Sequence, residues 1–152
     1  MGKTKRGKGS KLLVVADSAG VPLGVHVASA SPAEVTLLEE TLETVSVPRK
    51  RGGAPRCKPR RLVADRAYDA DWLRKNLWAR GIELICPHRR GRKRPALQDG
   101  RKLRRYKRRW IVERTIAWLQ NFRRLVVRWE RYPQMYLAFA HVACLLITLR
   151  QL

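Results

Sequence analysis

The sequence predicts an α/β fold, and three features carry that reading. Short apolar runs at residues 12–16 and 61–65 end in turn residues or an acid, as strands do. Between such runs lie segments whose apolar residues recur at spacings of three and four, the period of a helix with one buried face. The order strand, helix, strand over residues 61–86, with short connections, calls for a parallel sheet. A length of 152 residues suits one domain and leaves no room for two full cores beside long basic loops. Hydrophobic residues at 45%, with five Trp, four Tyr and two Phe, suffice for a core, so a disordered basic tail is excluded as a description of the whole chain.

In chain order, residues 1–11 hold five cations and three glycines without periodicity and are expected as a basic arm or loop, with the domain itself over residues 12–152. Leu12-Leu13-Val14-Val15-Ala16 and Leu23-Gly24-Val25-His26-Val27-Ala28 flank Asp17-Ser18-Ala19-Gly20 and Pro22, which fits two strands and a tight turn. Ser31-Pro32-Ala33-Glu34 combines a cap residue, a proline at the first helical position and an acid three residues past the cap. A helix over about residues 32–44 follows, with Val35, Leu38 and Leu42 on its apolar face. Residues 48–61, with three prolines, two glycines and seven cations, read as a loop. Next come a strand ending at Asp65, a helix capped by Asp69 that carries Trp72, Leu73, Leu77 and Trp78 to Gly81, and a strand over 82–86. Residues 88–101 form a second basic loop, residues 102–127 a long helical stretch, and the apolar run after Pro133 a closing buried helix.

Charge narrows the function. Lys plus Arg number 34 against 12 Asp plus Glu, a net charge of +22, and a polyanion is the expected partner. Residues 89–109 alone carry twelve Lys or Arg and one acid, Asp99, a composition that tracks phosphates with strong salt dependence. Cys57, Cys86 and Cys144 are too few and too scattered for a disulfide framework, which fits a reducing cytoplasm. The run 135–149 falls short of the roughly 20 apolar residues of a spanning helix, so no membrane role is expected. Cys86, His88, His141 and Cys144 lack the doubled close spacing of a zinc finger and read as buried or hydrogen-bonded side chains.

Two acids stand out. Asp65 ends a parallel strand, at the sheet edge where α/β folds bind ligands, although the same position suits a turn cap. Glu113 follows Tyr106 and Arg109 at spacings of seven and four, which places the three on one helical face; an ordinary i,i+4 ion pair has the same spacing. Carboxylates from different elements beside cations are what Mg²⁺ chemistry on a phosphodiester requires.

Val63-Ala64-Asp65-Arg66-Ala67-Tyr68-Asp69, then Arg109-Trp110-Ile111-Val112-Glu113-Arg114-Thr115, then Trp118-Leu119-x-x-Phe122-Arg123-Arg124-Leu125 closely resemble bacterial insertion-sequence transposases of the DDE type. Lys11-Leu12-Leu13-Val14-Val15-Ala16-Asp17 and the Ser-Pro-Ala-Glu step resemble the same family's early strands and first helix, so the resemblance runs from about Lys5 onward. It implies an RNase H-like catalytic core with C-terminal helices, in which three acids hold two Mg²⁺ (or Mn²⁺) ions and phosphodiesters are cut and joined at the element's ends. Asp65 matches the second acid and Glu113 the third, as catalytic and metal-binding residues. Tyr106 and Arg109 match the Tyr-x2-Arg-x3-Glu-x6-Lys signature of related groups; its lysine position is Gln120 here, with Arg123 and Arg124 close by. Lys107, Arg108, Arg92, Lys93 and Arg94 complete the cations expected to position or bind DNA.

The first acid has no match. In the family it lies on a strand upstream of a basic, Gly-rich stretch such as residues 2–10, so the expectation is an N-terminally truncated core that lacks its first central strand. Asp17 lies in the turn after the next strand and is expected to point elsewhere. The resemblance further implies double-stranded DNA as partner, an oligomer in the working complex, an upstream reading-frame product or full-length transposase as companion, and a nucleoid-associated place in the bacterial cytoplasm. The chain alone is expected to be inactive. The alternative is a non-catalytic DNA-binding remnant that inhibits an intact transposase.

Overall fold

The structure is a computed structural model that describes residues 2–4 and 7–151. Its chain divides into two compact units, Met1–Cys57 with Ile111–Leu152, and Lys58–Trp110.

The first unit is built on an antiparallel sheet in the order β1 (Gly2–Thr4), β2 (Gly7–Ala16), β3 (Pro22–Ser29). Val14 opposes Val25 and Leu12 opposes Val27, so these four side chains share one face, where β-branched residues pack well. The segment expected as a basic arm or loop is therefore paired: Gly2 opposes Gly9 and Thr4 opposes Gly7. Ladder pairing asks only for backbone groups, so this glycine- and lysine-rich end of the ribbon needs no period-two pattern. Met1, Lys5 and Arg6 of that segment lie outside the described residues.

Helix α1 (Glu34–Glu43) buries Leu37, Leu38, Thr41 and Leu42. It starts two residues later than the Ser31 cap predicts: the Ser31 amide is held by the Ser29 hydroxyl, and Ala33 is the N-cap, without a side-chain bond. Gly24 of β3 lies under the end of this helix. A Cβ there would come within 2.5 Å of the Thr44 hydroxyl, so the close approach requires glycine.

Three helices close the unit, α3 (Trp110–Gln120), α4 (Arg123–Val126) and α5 (Pro133–Leu149). Tyr136, Ala140, Ala143 and Ile147 recur at spacings of four, three and four along α5 and pack with Val25, Leu119 and Leu125 into one core. The Tyr136 hydroxyl donates to the Leu125 carbonyl at 2.8 Å, which ties α5 to α4. Pro133 begins α5, as its fixed φ and missing N–H favour. The expectation of a buried helix is corrected. Only one face is buried, and Met135, Phe139, Val142, Leu145, Leu146 and Leu149 are exposed. No helix among the described residues is long and apolar enough to cross a membrane.

The second unit is a strand, helix, strand crossover. β4 (Arg61–Val63) pairs in parallel with β5 (Glu83–Ile85), and α2 (Asp71–Ala79) connects them. Leu73 and Leu77 of α2 are fully buried, as are Ile85 and Cys86, so the helix stripe and strand close a small core. The parallel sheet read from the sequence is therefore present as this pair, although β4 stays half-exposed where burial on both faces was expected. The expected long helix over 102–127 is broken. Gly100–Arg109 is a 3-10 helix, α geometry begins at Trp110, and residues 121–122 separate α3 from α4. Arg101 and Arg105, Arg104 and Arg108, and Arg105 and Arg109 would be like-charged i,i+4 pairs in an α-helix, each destabilising by roughly 0.2–0.5 kcal/mol.

Candidate active site

Asp65 lies just beyond the C-terminal end of β4, where the sequence placed it; the Ala64 amide still bonds to the Ile85 carbonyl, extending the ladder to that point. Its Oδ1 accepts the Ala67 N–H at 2.5 Å and caps the 3-10 turn Arg66–Tyr68. Turn cap and candidate ligand are thus the same side chain. The cap fixes the carboxylate's direction through one oxygen.

Glu113 occupies the first turn of α3 and is exposed. Asp65 belongs to the unit Lys58–Trp110 and Glu113 to the other. Asp17 lies in the turn between β2 and β3, where its Oδ1 accepts the Ala19 and Val21 amides at 2.8 and 2.9 Å. The next residues of that turn are clamped to α3: Arg114 donates to the Ala19 carbonyl and the buried Thr115 hydroxyl to the Gly20 carbonyl, at 2.7 and 2.8 Å. Gly20 has φ +87°, and a Cβ would stand 3.0 Å from the Arg114 guanidinium, so both conformation and space demand glycine.

The guanidinium of Arg109 lies 5.8 Å from the centre of the Tyr106 ring within the 3-10 helix, a cation–π contact. Lys107 and Arg108 are exposed beside them. Arg123 and Arg124 sit on α4; Arg124 pairs with Glu130 at 3.1 Å and lies over the Phe139 ring.

The basic loop after β5 has an internal frame that sequence reasoning missed. The Asp69 side chain is 2% exposed. It accepts from the Arg74 guanidinium at 3.0 Å, the His88 Nδ1 at 3.0 Å and the Arg89 amide at 2.8 Å. Because the Leu97 amide donates to His88 Nε2, the ring proton sits on Nδ1 and points at Asp69. Burial alone would raise the Asp69 pKa, but the Arg89 amide, Arg74 and His88 outweigh it and hold the carboxyl below its ordinary value. Asp69 therefore does not cap α2, whose N-cap is Ala70. Arg74 also donates to the Cys86 carbonyl, and burial pushes the Cys86 thiol up to about 11.

Asp71 takes Arg92 through both oxygens at 2.7 and 3.1 Å and Arg94 at 3.3 Å. Its pKa is lowered, first by the Arg92 hydrogen bond. Arg92 donates further to the Arg94 and Pro95 carbonyls, so this cation is engaged inside the loop, whereas Lys93 and Arg94 are exposed. The one signal in the sequence was the matched spacing, two acids at positions 69 and 71 and arginines at 92 and 94.

Asp65 and Glu113 offer carboxylate oxygens, the donors a hard divalent cation takes, so they fit such an ion in kind. Among the described residues no group of three His, Cys, Asp or Glu is gathered that could hold one.

Residues 1–148 match the model of the transposase DDE domain. The chain belongs to that family. Within it, this DDE domain is 39% identical over 139 residues to a Burkholderia cepacia protein described as "Putative transposase for insertion sequence element IS402". The match covers 91% of this chain and 62% of that relative, so the domain spans under two thirds of its length. No solved structure matches.

Proposed function

We propose that this chain acts in DNA transposition as part of an RNase H-like DDE transposase that takes double-stranded DNA at the ends of an insertion element. The observation that carries the reading is the place of Asp65, an acid directed by its own turn at the C-terminal end of a parallel strand, in a chain of this family. Asp65 and Glu113 are the two metal ligands of this chain, and the remaining acid comes from chain beyond these 152 residues. Two Mg²⁺ (or Mn²⁺) ions, when bound, supply the charge stabilisation that phosphodiester cleavage and joining need. Tyr106 and Arg109 position Glu113 or DNA. Lys93, Arg94, Lys107, Arg108, Arg123 and Arg124 hold backbone phosphates, and Arg92 shapes the loop that presents its neighbours. The working complex is an oligomer at the bacterial nucleoid, completed by an upstream reading-frame product or a full-length transposase.

Cleavage of DNA carrying the element's ends tests this. The 152-residue chain alone is expected to be inactive, a longer chain that includes the upstream segment active, and Asp65→Asn or Glu113→Gln in the longer chain inactive again. Cleavage that survives Glu113→Gln overturns the assignment. A second reading, a DNA-binding remnant that inhibits an intact transposase, draws support from the hydrogen bond by which Asp65 serves as the cap of its own turn. Inhibition by the short chain, with no activity in any longer form, would favour it.

A further inference from the structure

Beside the Asp69 frame, the second unit carries a recess of about 200 Å³ that none of the assignments above uses. Its floor is Ile82 and Leu84, its walls include Trp78 and Leu97, and Lys75 and Lys102 are also among its lining residues. Ile82 and Leu84 are buried, but Trp78 is 71% and Leu97 54% exposed, so two large apolar side chains stand in water around an apolar floor. Drug-sized ligands occupy pockets from roughly 300 Å³ upward, so this recess has room for one flat ring system and little more. Its polar lining is mostly engaged within the protein. Glu83 is bound by Arg61 at 3.0 Å and Lys102 at 2.5 Å, while Arg74 bonds to the Gln98 amide oxygen and the Leu84 carbonyl. Lys102 is paired with Glu83, so an occupant is recognised by stacking on the indole and by the charge of the exposed Lys75.

We infer that this recess binds one unpaired nucleotide of a DNA strand, with its base against Trp78 and Leu97 and its phosphate at Lys75. Charge complementarity selects the occupant, because the recess adjoins the segment 89–109 with its twelve cations. An aromatic platform beside cations that follow a phosphate backbone is the common way to hold single strands without reading their sequence. The inference deepens the reading of this chain as DNA-binding and rests on it.

The test uses the whole 152-residue chain and three probes at one salt concentration: an oligothymidylate, an oligomer of equal length with the same phosphates and abasic sugars, and a duplex. Fluorescence anisotropy gives each dissociation constant. The expected result is a five- to tenfold tighter hold, to order of magnitude, on the oligothymidylate than on the abasic strand. Trp78→Ala should remove that preference and leave the abasic affinity unchanged; Trp78→Phe should restore part of it, and Trp72→Ala on the same helix should keep it. Equal affinity for the two single strands in the parent chain, or a preference that persists in Trp78→Ala, overturns the nucleotide site while duplex binding still stands. Failure to bind all three probes overturns the DNA-binding reading, and this site with it.

Discussion

Asp69 shows how much one carboxylate can organise when its partners come from distant parts of the chain. Arg74 lies one helical turn away, but His88 and Arg89 reach it only after the crossover through α2 and β5 is complete. Removing one member of a buried ion pair leaves the other charge uncompensated, so Asp69→Ala should cost about 3–5 kcal/mol in urea denaturation. The pH dependence has a definite sign. A folded-state pKa held below the ordinary 3.8 means that the unfolded chain takes up the proton first as pH falls. This stabilisation is complete above that ordinary value and is lost as pH drops through the lower folded one. Thermal melts of the parent chain should therefore show a steeper loss of stability below about pH 4 than those of the Asp69→Asn chain, in which Asp71 still titrates. Identical acid profiles in the two chains would refute the role given to Asp69.

At the scale of elements, the basic loop holds its cations in two different settings. Arg92 is bound to Asp71 and two carbonyls, whereas Lys93 is exposed beside it. Lys93→Ala should weaken duplex binding for all sequences and reduce the slope of log K against log salt by about one, with thermal stability unchanged. Arg92→Ala should lower the melting temperature. If Arg92→Ala changes only the salt slope, the division between framework and contact is wrong. Composition made this loop legible as an irregular, cation-rich segment, and alternation or helical spacing made β2, β3, α1, the β4-α2-β5 crossover and α5 legible. The division of labour was hidden, because it depends on Asp71 meeting Arg92 across 21 residues of chain. The 3-10 helix was hidden for another reason: Tyr106 and Arg109 are three apart, a spacing that suits either helix type. Residues 2–4 and 7–11 pair through backbone groups, so their side chains carry no strand signature. Asp65 was legible in both its guises, as strand-end acid and as turn cap, because both follow from the same local chain.

For the whole molecule, the dominant quantity is a net charge of +22 on 152 residues. Like charge keeps copies of the chain apart, and it acts over a screening length of roughly 10 Å at 0.1 M salt and 3 Å at 1 M. The boundary between the compact units falls between Trp110 and Ile111, inside the motif that runs from Tyr106 to Glu113. The two matched acids therefore belong to different units, Asp65 to one and Glu113 to the other.

The outer face of α5 gives that charge a second meaning. Phe139, Val142, Leu145, Leu146 and Leu149 meet water along a helix with no Asp, Glu, Lys or Arg between Pro133 and Leu149. Such a face favours self-association, and here repulsion between chains opposes it. Colloidal behaviour should then run opposite to ordinary salting-in, since each increment of salt screens the repulsion and lets two apolar helices approach. Light scattering of the parent chain should rise between 0.1 and 1 M sodium chloride, and Val142→Glu with Leu146→Glu should flatten the curve. Scattering that falls with salt in the parent chain would show that this helix is no source of stickiness. If it rises, the protein is best kept soluble at low salt, where its own charge holds copies apart.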